Sequence, residues 1–197
     1  MRVAIVMVLA AATLSGCATM TGFTLVPAGD VAVAQNSMTV HPSSAWNRVP
    51  AGTHTIPQEE RWTQNGPVLD TVHFVGAVPD GQAIAKQHKD DDRMVPVFHA
   101  TMTPHDLVSM IESDYRIQRG AKVFDTIDIK PATFLGTHGV QFDYSFMRDD
   151  SVKRRGRSMI AVANGKLYVM SLDGAALHYF DADLPEFEAM AASAAIR

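Results

Sequence analysis

Catalysis and metal binding need nucleophiles, bases or ligands at workable spacing, and this chain offers few of them. Its eight histidines are scattered. No HExxH, no CxxC and no histidine pair at helical spacing occurs, so neither a metal site nor a cofactor is expected. No Gly-x-Ser-x-Gly elbow precedes a predicted helix. His105 and Asp106 are neighbours on one predicted helix and point in different directions; Asp106 reads as a capping residue and His105 as exposed. Calcium loops interleave acids with other oxygen ligands and a turn glycine, so Asp90-Asp91-Asp92, beside Lys89 and Arg93, reads as a solvated loop. The basic run Lys153-Arg154-Arg155-Gly156-Arg157 follows Asp149-Asp150. It reads as a soluble turn partly neutralised by those acids, with contact to anionic lipid headgroups as the alternative. The polar row Gln141, Asp143 and Ser145 shares one face of a predicted strand whose other face is apolar. Facing a helix, that row would line a pocket or groove. Asp143 would need an Arg or Lys partner there, or a site that uses its charge.

The only cysteine, Cys17, has three readings: a buried thiol, a reactive nucleophile or metal ligand, and a lipid attachment point. The second needs another Cys or a His close by, and neither is near in sequence. The chain starts with Arg2, runs apolar from Val3 to Ala12, and then carries small residues up to Cys17, the pattern of a secretory signal peptide. The apolar run is shorter than the roughly 20 residues that span a bilayer. Leu14-Ser15-Gly16-Cys17 resembles the bacterial lipobox. That resemblance implies that the thiol receives diacylglycerol, that cleavage makes Cys17 the first mature residue, and that its new amino group is acylated. Several acyl chains, at roughly 0.8 kcal/mol per buried CH₂, give stable anchoring where a single chain does not. In the lipoprotein family of Gram-negative bacteria that the lipobox resembles, an Asp after the cysteine favours retention in the inner membrane, and here that position is Ala18. It therefore implies export to the outer membrane, with the globular part facing the periplasm. The mature chain then has no second cysteine and folds without an internal disulfide.

The elements behind these residues follow from periodicity. With 47% hydrophobic and 19% charged residues and a net charge of −4, the composition is globular and lacks the basic excess of a nucleic-acid binder. Val31, Val33, Met38 and Val40 alternate as in a strand that Pro42 ends, and Trp46 reads as a core anchor. Residues 61–78 read as a hairpin about Asn65-Gly66, although Pro67 spoils a two-residue turn. Residues 79–97 read as a long loop. Thr103, Pro104 and Asp106 open a helix whose stripe is Leu107, Met110, Ile111 and Tyr115, with Gly120 as terminator. A strand follows and ends before Pro131. In the next, Val140, Phe142, Tyr144 and Phe146 face one way and Gln141, Asp143 and Ser145 the other. Asn164-Gly165 sets a hairpin that pairs Val162 with Leu167 and Ile160 with Val169, apolar on both faces and so covered on both sides. A closing helix has Pro185 near its start and Phe187, Met190, Ala191 and Ala194 on one face.

Two helices and six or seven hairpin-linked strands give an α+β fold, an antiparallel sheet with a helix on each side, or α/β/α sandwich. The expected organisation is a signal peptide over 1–16, a lipidated N-terminus and short tether over 17–30, and one α+β domain over 31–197. The order of "LVSMIESDY", "GVQFDYSF", "GKLYVMSL" and "FEAMAASAAI" resembles the Mog1/PsbP-like fold. Its members include photosystem assembly factors, a small-GTPase partner and many bacterial lipoproteins, and most bind proteins. The resemblance implies a non-catalytic, outer-membrane-anchored periplasmic lipoprotein with a protein partner or a role in envelope assembly. An envelope hydrolase using Ser145 or Asp143 with a loop histidine is the alternative, as is a carrier of a small apolar ligand held between sheet and helix.

Overall fold

The computed structural model describes residues 22–52, 56–87 and 92–197. Cys17, the expected signal peptide and the Asp90-Asp91 pair lie outside them. Eight strands form one antiparallel sheet: β1 (Thr24–Val26), β4 (Trp46–Arg48), β5 (Glu59–Thr63), β6 (Asp70–Pro79), β10 (Lys166–Ala175), β9 (Lys153–Ala163), β8 (Thr137–Met147) and β7 (Val123–Phe134), in that spatial order. A separate three-stranded sheet has the order β11 (Ala195–Ile196), β3 (Met38–Val40), β2 (Val31–Val33). Helix α1 (Pro104–Ile117) covers one face of the large sheet and α2 (Tyr179–Ser193) the other. The fold is α+β with helices on both faces, as the alternation of the central strands demands.

Each central strand splits its side chains between two cores. Val140, Phe142, Tyr144 and Phe146 of β8 join Ile160, Leu167 and Val169 beneath Leu107, Met110, Ile111 and Tyr115 of α1. Met159, Ala161, Tyr168, Met170 and Leu172 meet Phe180, Phe187 and Met190 of α2, together with Trp46, Trp62 and Phe74. The β9–β10 hairpin has the expected register, Val162 opposite Leu167 and Ile160 opposite Val169, and Asn164 and Gly165 take φ of 52° and 70° at the turn. Helix α1 begins with a capping box: the Thr103 hydroxyl accepts from the backbone N–H of Asp106, and the Asp106 carboxylate accepts from that of Thr103.

The structure refines several of these expectations. The β5–β6 connection is no two-residue turn, in keeping with Pro67: the Asp70 carboxylate gathers the Thr63 hydroxyl and the backbone N–H groups of Gln64 and Asn65. The strand expected over 31–40 is two, β2 and β3, folded back at Ala34, Gln35 and Asn36, all with positive φ. Strand β7 runs through Pro131 rather than ending before it. A bulge between Ile127 and Lys130 resets the register, and the missing N–H of proline is tolerated on an edge strand. Residues 153–157 are the start of β9, not a turn. Helix α2 starts at Tyr179, so Pro185 lies inside it. Within the expected tether, Thr24–Val26 pairs with Trp46–Arg48 as β1.

Candidate functional site

The expected polar row lies on the α2 side of β8. Asp143 is bound bidentately by Arg157 on the neighbouring strand, Nε to Oδ1 at 2.6 Å and an Nη to Oδ2 at 2.7 Å, and Arg157 also contacts Glu188 of α2. The pairing follows from register, since Asp143 and Arg157 are directly opposed. Gln141 turns its amide oxygen to accept from both Arg157 Nε and Lys130 Nζ, each at 3.2 Å. Ser145 is buried. With both its carboxylate oxygens engaged, Asp143 is committed to a cross-strand ion pair. Most of the basic run is committed likewise: Arg154 to Asp150, Arg155 to Asp181 and Arg157 to Asp143.

A different cluster, on the α1 side, gathers charge where a core would be expected. The sheet contributes Glu59 from β5, His73 from β6, Tyr144 from β8, Ser158 from β9, and Ser171 and Asp173 from β10. These positions share a face because Ser171 opposes both His73 and Ser158, and Asp173 lies two residues on. Helix α1 adds Asp114 and Tyr115, and Arg119 just beyond the Gln118 cap folds back beneath it. Gly156 makes room for Tyr144: a Cβ there would come within 2.2 Å of the phenol ring.

Arg119 is the hub. Its Nε donates to Asp114 Oδ2 at 2.7 Å, one Nη to His73 Nδ1 at 2.7 Å, and the other to Glu59 Oε1 at 3.2 Å. Its guanidinium also sits 5.0 Å from the centre of the Tyr115 ring. His73 Nδ1 also lies 3.1 Å from Glu59 Oε1, so Arg119 and Glu59 meet at one ring nitrogen and the ring turns Nε2 toward Asp173. That nitrogen lies 3.3 Å from Asp173 Oδ2. Asp173 is also held by the hydroxyls of Tyr115 and Tyr144, at 2.7–2.9 Å, while the two hydroxyls stand 2.8 Å apart. The side chains of Glu59, His73, Asp114 and Asp173 are all 7% exposed or less.

The protonation states follow from position. Burial works against charge on Glu59, but Arg119 and the His73 hydrogen bond outweigh it and hold the carboxyl down at about 2. Asp173 is also held below its ordinary value, its donors overcoming burial. Asp114 goes the other way, because burial outweighs its one bond to Arg119 and the Glu59 charge adds to the cost. Burial and the Asp173 carboxylate push both phenols far up, so Tyr115 and Tyr144 remain donors. Arg119, among three carboxylates, stays charged.

His73, Asp114, Arg119 and Ser171, with the apolar Val75, Ile84, Ile111 and Leu167, surround a cavity of about 10 Å³. Pockets for drug-sized ligands run to roughly 300–1,000 Å³, so this space between α1 and the sheet does not accommodate one. An open groove of about 340 Å³ lies outside Glu59, lined by Gln35, Asn36, Arg48, Glu60 and Arg61. Arg48 is already paired with Glu60 there. The cluster is a lattice of donors and acceptors that pins the end of α1 to β5, β6, β8 and β10.

None of its members was singled out as a site residue in the sequence; Tyr115 and Tyr144 were placed on core faces. The signal was present: His73, Ser171 and Asp173 interrupt otherwise apolar central strands, and Asp114 lies four residues after Met110 in the helix stripe. A polar residue on a core-facing position needs a partner, and four such positions demand a network.

No protein-family model matches the chain, and no curated protein matches it. Among solved structures, the cyanobacterial PsbP (CyanoP) of Synechocystis sp. superposes with a TM-score of 0.56 at 13% identity, over 92% of this chain and 96% of that one. LpqN of Mycobacterium tuberculosis, described as involved in cell envelope biogenesis, gives 0.45 at 17% identity, over 88% and 90%. At such identity the CyanoP match speaks for fold alone: this chain has an antiparallel α+β fold of the PsbP-like kind.

Proposed function

We propose that the chain is a bacterial lipoprotein, anchored through Cys17 in the outer membrane, whose periplasmic domain works by binding a protein partner. The observation that carries the reading is Leu14-Ser15-Gly16-Cys17 at the end of a short apolar segment led by Arg2. In this account residues 1–16 are removed and the lipidated N-terminus leads at once into the domain. Only a few residues separate Cys17 from β1, and at about 3.4 Å each they span about 20 Å at most, so the domain works next to its membrane. The internal engagement of the ionic groups supports a binding role over turnover: Asp143, offered as a base in the hydrolase alternative, has both oxygens on Arg157. Crosslinking in intact cells, followed by recovery of the tagged chain from envelopes, tests it. A reproducible envelope protein crosslinked to the domain is the expected result. Recovery of the chain without any reproducible partner would contradict a binding role.

A further inference from the structure

The geometry points to a built site for one internal water molecule, in the cavity between α1 and β10, held by Asp114 Oδ1 and by the hydroxyl pair of Ser158 and Ser171. Three independent observations meet there. First, Asp114 is 2% exposed and lines the cavity, yet its Oδ1 has no hydrogen-bond partner. Arg119 reaches Asp114 Oδ2, His73 and Glu59, and none of its N–H groups reaches Oδ1. Buried polar atoms of native proteins nearly always find a partner, in the protein or in ordered water.

Second, Ser158 Oγ and Ser171 Oγ stand 2.8 Å apart, both buried. The pair carries two hydroxyl protons and the bond between them uses one. The other has no acceptor among the described residues. Third, the cavity of about 10 Å³ has the size that one water needs, and an internal water makes about three hydrogen bonds. A water there donates to Asp114 Oδ1 and accepts the spare serine proton, satisfying both orphaned groups at once. A sodium ion is the competing occupant, since three carboxylates face one guanidinium in this cluster. Hard cations, however, take several oxygen ligands, and among the described residues no group of three or more His, Cys, Asp or Glu is placed to hold one. The water therefore ties the helix to the sheet on the side of Asp114 that Arg119 leaves open.

A crystal structure of the full chain at about 1.5 Å, grown in sodium-containing buffer, is the test. The expected result is one density peak at about 2.6–3.2 Å from both Asp114 Oδ1 and Ser171 Oγ. An empty cavity, a direct Asp114–Ser171 bond that closes it, or a peak at about 2.4 Å with five or more oxygen neighbours would overturn the proposal. Ser171→Val fills the cavity and should abolish the peak in a chain that still folds; survival of the peak overturns it as well. Should that variant fail to fold, Ser171→Ala keeps the space and removes one hydrogen bond. Water residence at Asp114, read by magnetic relaxation dispersion, should then shorten about five- to tenfold. An unchanged residence time counts against the site.

Discussion

Arg119 carries more of the α1 side than any other single residue. Its guanidinium bonds Asp114 and Glu59, lies 2.7 Å from His73 Nδ1, and its charge lowers Asp173. Arg119→Met, which keeps the stem and removes the charge, leaves buried carboxylates without a cation. It should cost about 3–5 kcal/mol, read as a lowered midpoint in urea unfolding. Stability should also depend on acid. Glu59 sits at about 2 when folded against 4.5 ordinarily, so the unfolded chain takes up its proton first as pH falls. The stabilisation is fully present above roughly pH 5 and is lost as pH falls toward 2, an effect of about 3 kcal/mol. Asp173, also lowered, adds in the same sense. Asp114, raised by burial, opposes them: its share is present in acid and lost as pH rises above its ordinary value. Glu59→Gln should flatten the acid limb of a stability–pH curve; an unaltered limb would place the acid sensitivity elsewhere. At this scale the sequence was legible for Asp143, where a charge in a polar row called for an Arg or Lys and Arg157 supplies it. It was not legible for the buried cluster, whose members come from five strands and a helix and meet only through register and crossover.

The elements divide according to whether local chemistry or tertiary contact sets their ends. Helix α1 was readable because its capping box lies within four residues. Thr103→Ala should cost about 1 kcal/mol, measurable by thermal unfolding. The β9–β10 hairpin was readable because Asn164-Gly165 fixes both turn and register. By contrast, β7 passes Pro131 only because an edge strand can omit a hydrogen bond there, and that position is invisible in the strand itself. Helix α2 begins earlier than its pattern suggests because its first turn lies against β10. At Gly174 a Cβ would stand 2.5 Å from the backbone N and Cα of Phe180. Backbone cannot swing aside as a side chain can, so Gly174→Ala should force α2 outward and cost about 1–3 kcal/mol. Retention of full stability would show that the contact is softer than its geometry.

At the scale of the whole molecule, one sheet separates two cores, one built around a buried ionic lattice and the other apolar at its centre with ion pairs such as Asp143–Arg157 beside it. The α2 side holds by burial of Trp46, Trp62, Phe74, Phe180 and Phe187, and the α1 side by burial around a polar lattice. The open edge at β7 is blunted by its bulge, by Asp128 at φ 49° and by Pro131, which discourage another strand from adding there. The layer architecture was legible because central strands apolar on both faces must be covered twice. The number of strands was not, because β1, β2, β3, β4 and β11 are two or three residues long and owe their pairing to the rest of the fold. What joins this domain to a cellular task, in the account proposed above, is the anchor at Cys17. Metabolic labelling with palmitate, with membrane fractionation of wild type and Cys17→Ala, tests that claim most directly. The account predicts label on the wild-type chain in the outer-membrane fraction, and loss of both label and membrane attachment in the variant. Label that persists in Cys17→Ala, or a wild-type chain that carries none, would contradict it.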